Sequence, residues 1–541
     1  MSEEPRVELV LAWHMHQPDY RDHATGEFRL PWTYLHALKD YSDMAAHLER
    51  HPGLRAVVNF TPVLLDQLED YRDQFATGRV RDPLLRILGR AAGEPLSEAQ
   101  RAFVLERCTP AGRERMFRPL AAFERLLDVF ETLRARGPPA RYLSDEYVDE
   151  LLAWYHLAWL GETVRRSSET AARLLSVGDG FTARDRRTLF ELVGEVVGGI
   201  VPRYRRLEEA GRIELSTTPV CHPLAPLLVN LRCAREPNPE IRLPVAREYP
   251  GGAARVQGQL HAALRSHRER FGAAAAGVWP AEGAVSAPLV AMLGEAGCAW
   301  TASAESVLVA SLRAGGQPVA PGSFHRPYRL DGTPGPAMFF RHDRLSDLIG
   351  FEYPKWKAAD AAADFAQALE AIGAEARDEP PLASVILDGE NCWEHYDYNG
   401  YDFLDALYGR LEWHPTVHTT TFAAHLAART APPAPLKKLA AGSWSHASFS
   451  EWIGSPAKNH GWDLLCAAKQ SYDLVLASGR LDDAAQRRAA RQLAACEGSD
   501  WFWWMGREHR DTAAFEALFR THLANLYACL ALPVPAALAP A

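Results

Sequence analysis

The chain has 541 residues, of which 47% are hydrophobic and 23% charged, with a formal net charge of −9 at pH 7. This is the make-up of a globular protein with material for a large core, and it argues against an electrostatic footprint for nucleic acid or an anionic membrane. No run approaches the ~18 apolar residues of a membrane span, and the eight cysteines are scattered without CxxC spacing, which disfavours a zinc site or a disulfide framework.

The start, Met1-Ser-Glu-Glu-Pro-Arg-Val7, lacks the basic and apolar regions of a secretory leader, so a cytoplasmic protein is expected. The first apolar run, 7–13, leads into Trp13-His-Met-His-Gln-Pro18. In a strand, His14 and His16 share one face because side chains alternate with period two. That pair, with Gln17, suits contact with a ligand; a metal site completed by His222 or Asp388 is the alternative. A second run, 55–60, ends at Asn59 and Thr61. Residues 63–210 are helical by pattern and too long for one crossover, so an inserted helical subdomain is expected, with 147–165 as a buried helix.

The third run, 212–217, carries Glu214 within apolar surroundings and leads to His222. Glu214 reads as a supporting carboxylate or as a ligand contact, and His222 as the better candidate for contact. The fourth run, 274–279, ends in Trp279-Pro-Ala-Glu282. Runs at 299–303 and 337–341 follow, the latter leading into Arg341, His342 and Asp343. The seventh, 384–388, emerges as Leu387-Asp-Gly-Glu-Asn-Cys-Trp-Glu-His-Tyr396, placing Asp388 first out of the apolar run, with Glu390, Trp393 and His395 beyond it. A stretch at 417–422 is an eighth strand or an outlying piece. Strands alternating with helices predict a parallel sheet, and a closed barrel brings all strand C-termini to one face.

Residues 430–436 read as a linker or domain edge, dividing a catalytic domain, 1–430, from a helical domain, 431–541, with helices over 461–477, 482–497 and 512–532. Within the latter, Asp500-Trp-Phe-Trp-Trp504 is too aromatic for an exposed loop; it plugs an interface, lines a groove, or both. Asp500, Trp501 and, from a similar polar-aromatic stretch, Trp462 are the candidate contacts there. Carboxylates at two strand ends, Glu282 and Asp388, each beside a Trp, point to acid/base or nucleophilic chemistry on a sugar.

The His-x-His-Gln-Pro start, the Gly211-Arg-Ile-Glu-Leu-Ser-Thr-Thr-Pro219 segment, Trp-Pro-Ala-Glu and Leu-Asp-Gly-Glu-Asn resemble, in order, four regions of glycoside hydrolase family 57. The resemblance implies a (β/α)7 barrel with a helical C-terminal domain, no required cofactor or metal, and a retaining mechanism on α-glucans. It implies Glu282 as nucleophile and Asp388 as acid/base. His14, His16, Gln17, Glu214, His222, Trp279 and Trp393 would lie near the reacting sugar. The spelling after Asp388 is closer to the amylopullulanase and α-amylase branch than to branching enzymes. A 4-α-glucanotransferase using the same site, and a metal-dependent deacetylase or mannosidase-like enzyme on a related barrel, are the alternatives. An ionised Glu282 beside an Asp388 raised by burial and by the Glu282 charge is expected.

Overall fold

The computed structural model describes residues 7–109, 114–117, 119–137, 142–375 and 379–538; the acidic start, 1–6, lies outside them. Seven parallel strands carry the fold: β1 (Val7–Met15), β2 (Ala56–Phe60), β3 (Ile213–Thr217), β4 (Gly277–Val278), β5 (Trp300–Ala304), β7 (Ala337–Arg341) and β8 (Leu382–Asp388). Each corresponds to one of the seven apolar runs. They lie side by side in the order β7-β5-β4-β3-β2-β1-β8. Between β7 and β8 no ladder is registered; instead the His342 amide donates to the Ser384 carbonyl at 2.7 Å and Arg341 Nε to the Ile386 carbonyl at 2.8 Å. The sheet is α/β with helices between its strands, as in a (β/α)7 barrel.

Three further short strands join the sheet, two of which were not separable from loops by pattern. β6 (Tyr328–Leu330) runs antiparallel to β7, and β10 (Ala434–Leu436) extends β6. The stretch read as a linker therefore ends in a strand. β9 (Val417–Thr419) pairs with the first residues of β1, on the edge that β2 takes further along, and Phe422 already starts a helix, so 417–422 is an outlying piece and not an eighth barrel strand.

Between β2 and β3 the described residues are mainly helical, from Pro62–Thr77 to Ala183–Glu209. The expected single helix over 147–165 is two, Asp145–Trp159 and Glu162–Ser167. The break comes where Asp43 accepts the amides of Glu162 and Thr163 at 2.8 and 3.0 Å, and Gly161 is required because a Cβ there would lie 2.3 Å from the Asp43 carboxylate. After β10, helices Pro456–Ala477, Asp483–Cys496, Ser499–Trp504 and Thr512–Cys529 complete the chain. Among the described residues no helix is long and apolar enough to cross a membrane.

Candidate active site

A row of polar side chains crosses the C-terminal ends of four strands. In register, Asp388 of β8 lies beside His14 of β1, His14 beside Asn59 of β2, and Asn59 beside Ser216 of β3. His14 Nδ1 meets Asn59 Oδ1 at 2.7 Å, and Asn59 Nδ2 donates to Ser216 Oγ at 2.9 Å. His16, two residues on, faces the same way as His14, their rings 5.9 Å apart and near parallel. Its Nδ1 meets Thr61 Oγ1 at 3.1 Å and its Nε2 meets the Asp500 carboxylate at 3.0 Å. Gln17 donates to Glu390 Oε1 at 3.1 Å, which also accepts the His16 amide at 3.1 Å, so Gln17 holds the loop beyond Asp388.

Glu282 leaves β4 on a short turn with φ of 59°, in the left-handed region that a side chain enters at a cost on the order of 1–2 kcal/mol. The turn is held from outside the barrel. Trp444 donates its amide to the Glu282 carbonyl at 2.9 Å and its indole N–H to Glu282 Oε2 at 3.1 Å. Paired amides of Val285 and Gly442 lock the two segments together. Glu282 Oε1 lies 3.1 Å from Ser499 Oγ, at the start of the aromatic helix. His222 also has a left-handed φ, 54°, and its carbonyl accepts the Ser499 amide at 2.9 Å. Neither Trp444 nor Ser499 was legible beforehand: a lone Trp in a polar loop and a Ser before an aromatic run carry no periodic signal.

Glu282 is partly buried and lies close enough to Asp388 and Asp500 to feel both of their charges. Burial, then the charges of Asp388 and Asp500, push the Glu282 carboxyl up to about 8. Burial raises Asp388 to about 6, against the opposing pull of its Asn391 hydrogen bond, His16 and Arg341. The order is the reverse of the expected one. The reason is local: Glu282 has only the neutral Ser499 and Trp444 groups against it, whereas Asp388 accepts from Asn391 and feels the Arg341 guanidinium. The two carboxyls titrate as a coupled pair. Burial pushes Glu390 well above the usual carboxylate range.

The other expected residues divide into four groups. Glu214 lies one layer down, inside the barrel, where Oε1 accepts the Trp300 indole N–H at 2.5 Å and Oε2 the Ala423 amide at 2.9 Å. Gly277 makes room for that indole, since a Cβ there would lie 2.0 Å from the Trp300 ring. Trp279 sits beside the row, its ring 6.3 Å from His14 and 5.4 Å from Trp444, with its indole N–H unpartnered. Trp393, Trp462 and Trp501 are at most 1% exposed. Their indole N–H groups go to the carbonyls of Gly389, Trp452 and Ala495, so all three are packing residues that support the site from behind. His395 is exposed, and its carbonyl, not its ring, is engaged, by Arg115 at 2.7 Å.

Among the described residues, one group brings metal-type donor atoms within 4.8 Å of one another: His16, His222 and Asp500. Their hydrogen bonds already engage these atoms. His222 Nδ1 meets Ser499 Oγ at 2.9 Å and its Nε2 meets His14 Nε2 at 3.0 Å, while His16 is shared between Thr61 and Asp500. Burial and the neighbouring imidazoles lower His14 to about 3 and His222 well below its ordinary value, so both rings are neutral in the free site. The group is a hydrogen-bond network.

The profile of glycosyl hydrolase family 57 matches residues 10–435, which include every strand end described above. The chain belongs to that family. It is accordingly an enzyme of the glycoside hydrolase or transferase type. Solved structures with the same fold include a family 57 branching enzyme from Pyrococcus horikoshii (TM-score 0.61, 16% identity, covering 98% of this chain and 96% of that one). An α-amylase from Thermotoga maritima matches with TM-score 0.61 and 14% identity over 97% of this chain and 94% of that one. A 4-α-glucanotransferase from Thermococcus litoralis matches with TM-score 0.52 and 13% identity over 97% of this chain and 60% of that one. At these identities the likeness is one of fold.

Proposed function

We infer that this protein is a retaining glycosidase of the α-amylase or amylopullulanase type, acting on α-glucans such as starch, glycogen and malto-oligosaccharides. The observation that carries the reading is the pair of partly buried carboxyls, Glu282 and Asp388, just beyond or at two strand ends, with the Asp388 charge helping to raise the Glu282 carboxyl. Glu282 attacks the anomeric carbon and Asp388 protonates the departing glycosidic oxygen; Asp388 then takes a proton from the incoming water as the glycosyl-enzyme ester is cleaved. The reactive form of the free pair has its proton on Asp388, a minor arrangement that substrate must favour. His16 and Asp500 are the candidate sugar-hydroxyl partners, with His14, His222 and Gln17 holding them in place from behind and Trp279 beside them. Glu214 is a positioning residue for the barrel interior.

Incubation with maltoheptaose, with Glu282→Gln in parallel, tests the reading. Only shorter chains from wild type, and none from the variant, are expected. Chains both shorter and longer than the donor would make the enzyme a glucanotransferase using the same carboxyls. Unchanged activity in Glu282→Gln would remove the nucleophile assignment.

A further inference from the structure

Four side chains from four segments lie in a line: Glu282, Ser499, His222 and His14. The successive separations are 3.1 Å from Glu282 Oε1 to Ser499 Oγ, 2.9 Å from Ser499 Oγ to His222 Nδ1, and 3.0 Å between the two Nε2 atoms. Asn59 Oδ1, an acceptor only, closes the line on His14 Nδ1 at 2.7 Å. That end sets the direction of every hydrogen bond. His14 must carry its proton on Nδ1, so its Nε2 accepts; His222 must then donate from Nε2, so its Nδ1 accepts. Ser499 has one hydrogen, which goes to His222 Nδ1, and its oxygen is left to accept from Glu282. With both rings neutral, the line is satisfied throughout only when Glu282 holds a proton on Oε1.

The ionised nucleophile demands the opposite arrangement at the Glu282 end. Ser499 must then donate to the carboxylate, and His222 Nδ1 must supply a proton to Ser499. If His222 stayed neutral, its Nε2 would face the His14 Nε2 lone pair at 3.0 Å. A His222 protonated on both nitrogens resolves this: Nδ1–H donates to Ser499 and Nε2–H to His14.

We propose that Ser499 and His222 form a proton relay that ionises Glu282 within the closed site. The Glu282 proton passes to Ser499 Oγ as the Ser499 hydrogen passes to His222 Nδ1, leaving a carboxylate and an imidazolium with no proton lost to solvent. The ester formed by Glu282 is neutral, and its hydrolysis returns the carboxylate, which recovers the proton along the same line. The ends are fixed for this, because the Ser499 amide is bonded to the His222 carbonyl at 2.9 Å. His222 faces His14 and His16 from β1, the latter stacked at 3.8 Å, and Glu282. Glu282 in turn faces Asp388 from β8 and Asp500 from the aromatic helix. Burial and the His14 and His16 rings oppose the imidazolium, and the Glu282 carboxylate 3.9 Å away favours it once formed.

The relay rests on Glu282 being the nucleophile, and its test separates the two claims. With 4-nitrophenyl α-maltoside, whose leaving group needs no protonation, kcat/KM follows Glu282 ionisation without calling on Asp388 as acid. The relay converts one protonation isomer into another without net proton loss, so wild-type kcat/KM levels off towards low pH. Ser499→Ala removes the hydroxyl that bonds both the carboxylate and the imidazolium, so ionised Glu282 is reached mainly with His222 neutral and kcat/KM falls up to about tenfold per pH unit there. Ser499→Thr, which keeps a hydroxyl, restores the level limb. A Ser499→Ala profile parallel to wild type at all pH, or a Thr variant that falls as the Ala variant does, would overturn the relay. Turnover by Glu282→Gln in the same assay would instead overturn the nucleophile assignment.

Discussion

Two partly buried glutamates, one in β3 and one just beyond β4, meet opposite fates. Glu214 in β3 spends both oxygens on fixed neutral donors, the Trp300 indole and the Ala423 amide. Glu282, just beyond β4, accepts the Trp444 indole N–H and meets the Ser499 hydroxyl, but it also feels the carboxyls of Asp388 and Asp500. Burial raises both carboxyls. What separates a structural acid from a reactive one is therefore neither burial nor hydrogen-bond number. It is whether the group faces a second titratable group across space that a substrate can enter.

Substitution breaks the comparison most sharply. Glu282→Gln is expected to cost on the order of 10⁴ in kcat with the protein still folded, because the lost group is a nucleophile and not a packing element. Glu214→Gln presents an NH₂ group to a donor, so it should cost about 1–3 kcal/mol of stability with little effect on kcat. Comparing melting and turnover for the two variants reads both effects at once; matching losses in both would erase the distinction.

Asp388→Asn should lower turnover of malto-oligosaccharides by roughly 10²–10⁴, with a smaller loss when the leaving group is activated. Equal losses on the two substrates would mean that Asp388 is not the acid. For the buried indoles the expectation is purely structural. Trp462→Ala, which leaves a void against Phe502 (ring centroids 4.1 Å apart), should cost about 3–5 kcal/mol in chemical denaturation, with KM unchanged in whatever protein remains folded.

The smallest effect is in pH. Above about 8 the pair loses its second proton, so kcat/KM should fall as pH rises through that value. The sign for stability follows from the same shift. A carboxyl raised from 4.5 to about 8 holds its proton in the folded chain after the unfolded chain has lost it, so folding weakens as pH rises between those values. Glu282→Gln removes that loss and should be more stable than wild type at pH 9 but not at pH 4. Melting curves at the two pH values decide it.

Much of the scaffold is legible in the amino-acid order. All seven barrel strands follow from apolar runs that end in polar residues, since a strand buried on both faces must show its first polar side chain where it leaves the core. β6 and β10 escaped because three residues carry too little pattern. Tryptophan was the least reliable guide: it marks sugar platforms and cores alike, and Trp393, Trp462 and Trp501 pack into the structure while Trp444, in an unpatterned loop, holds Glu282. The reversed ionisation order was also out of reach, because it depends on Arg341, His16 and Asp500 converging through space.

The most direct test is covalent. Asp388→Asn, incubated with α-maltosyl fluoride, can form the glycosyl-enzyme without an acid but hydrolyses it slowly for want of a base. Mass spectrometry of the digested protein should find a maltosyl adduct on the peptide bearing Glu282. An adduct on another residue, or turnover to inverted product with no adduct, would contradict the assignment of Glu282 as nucleophile.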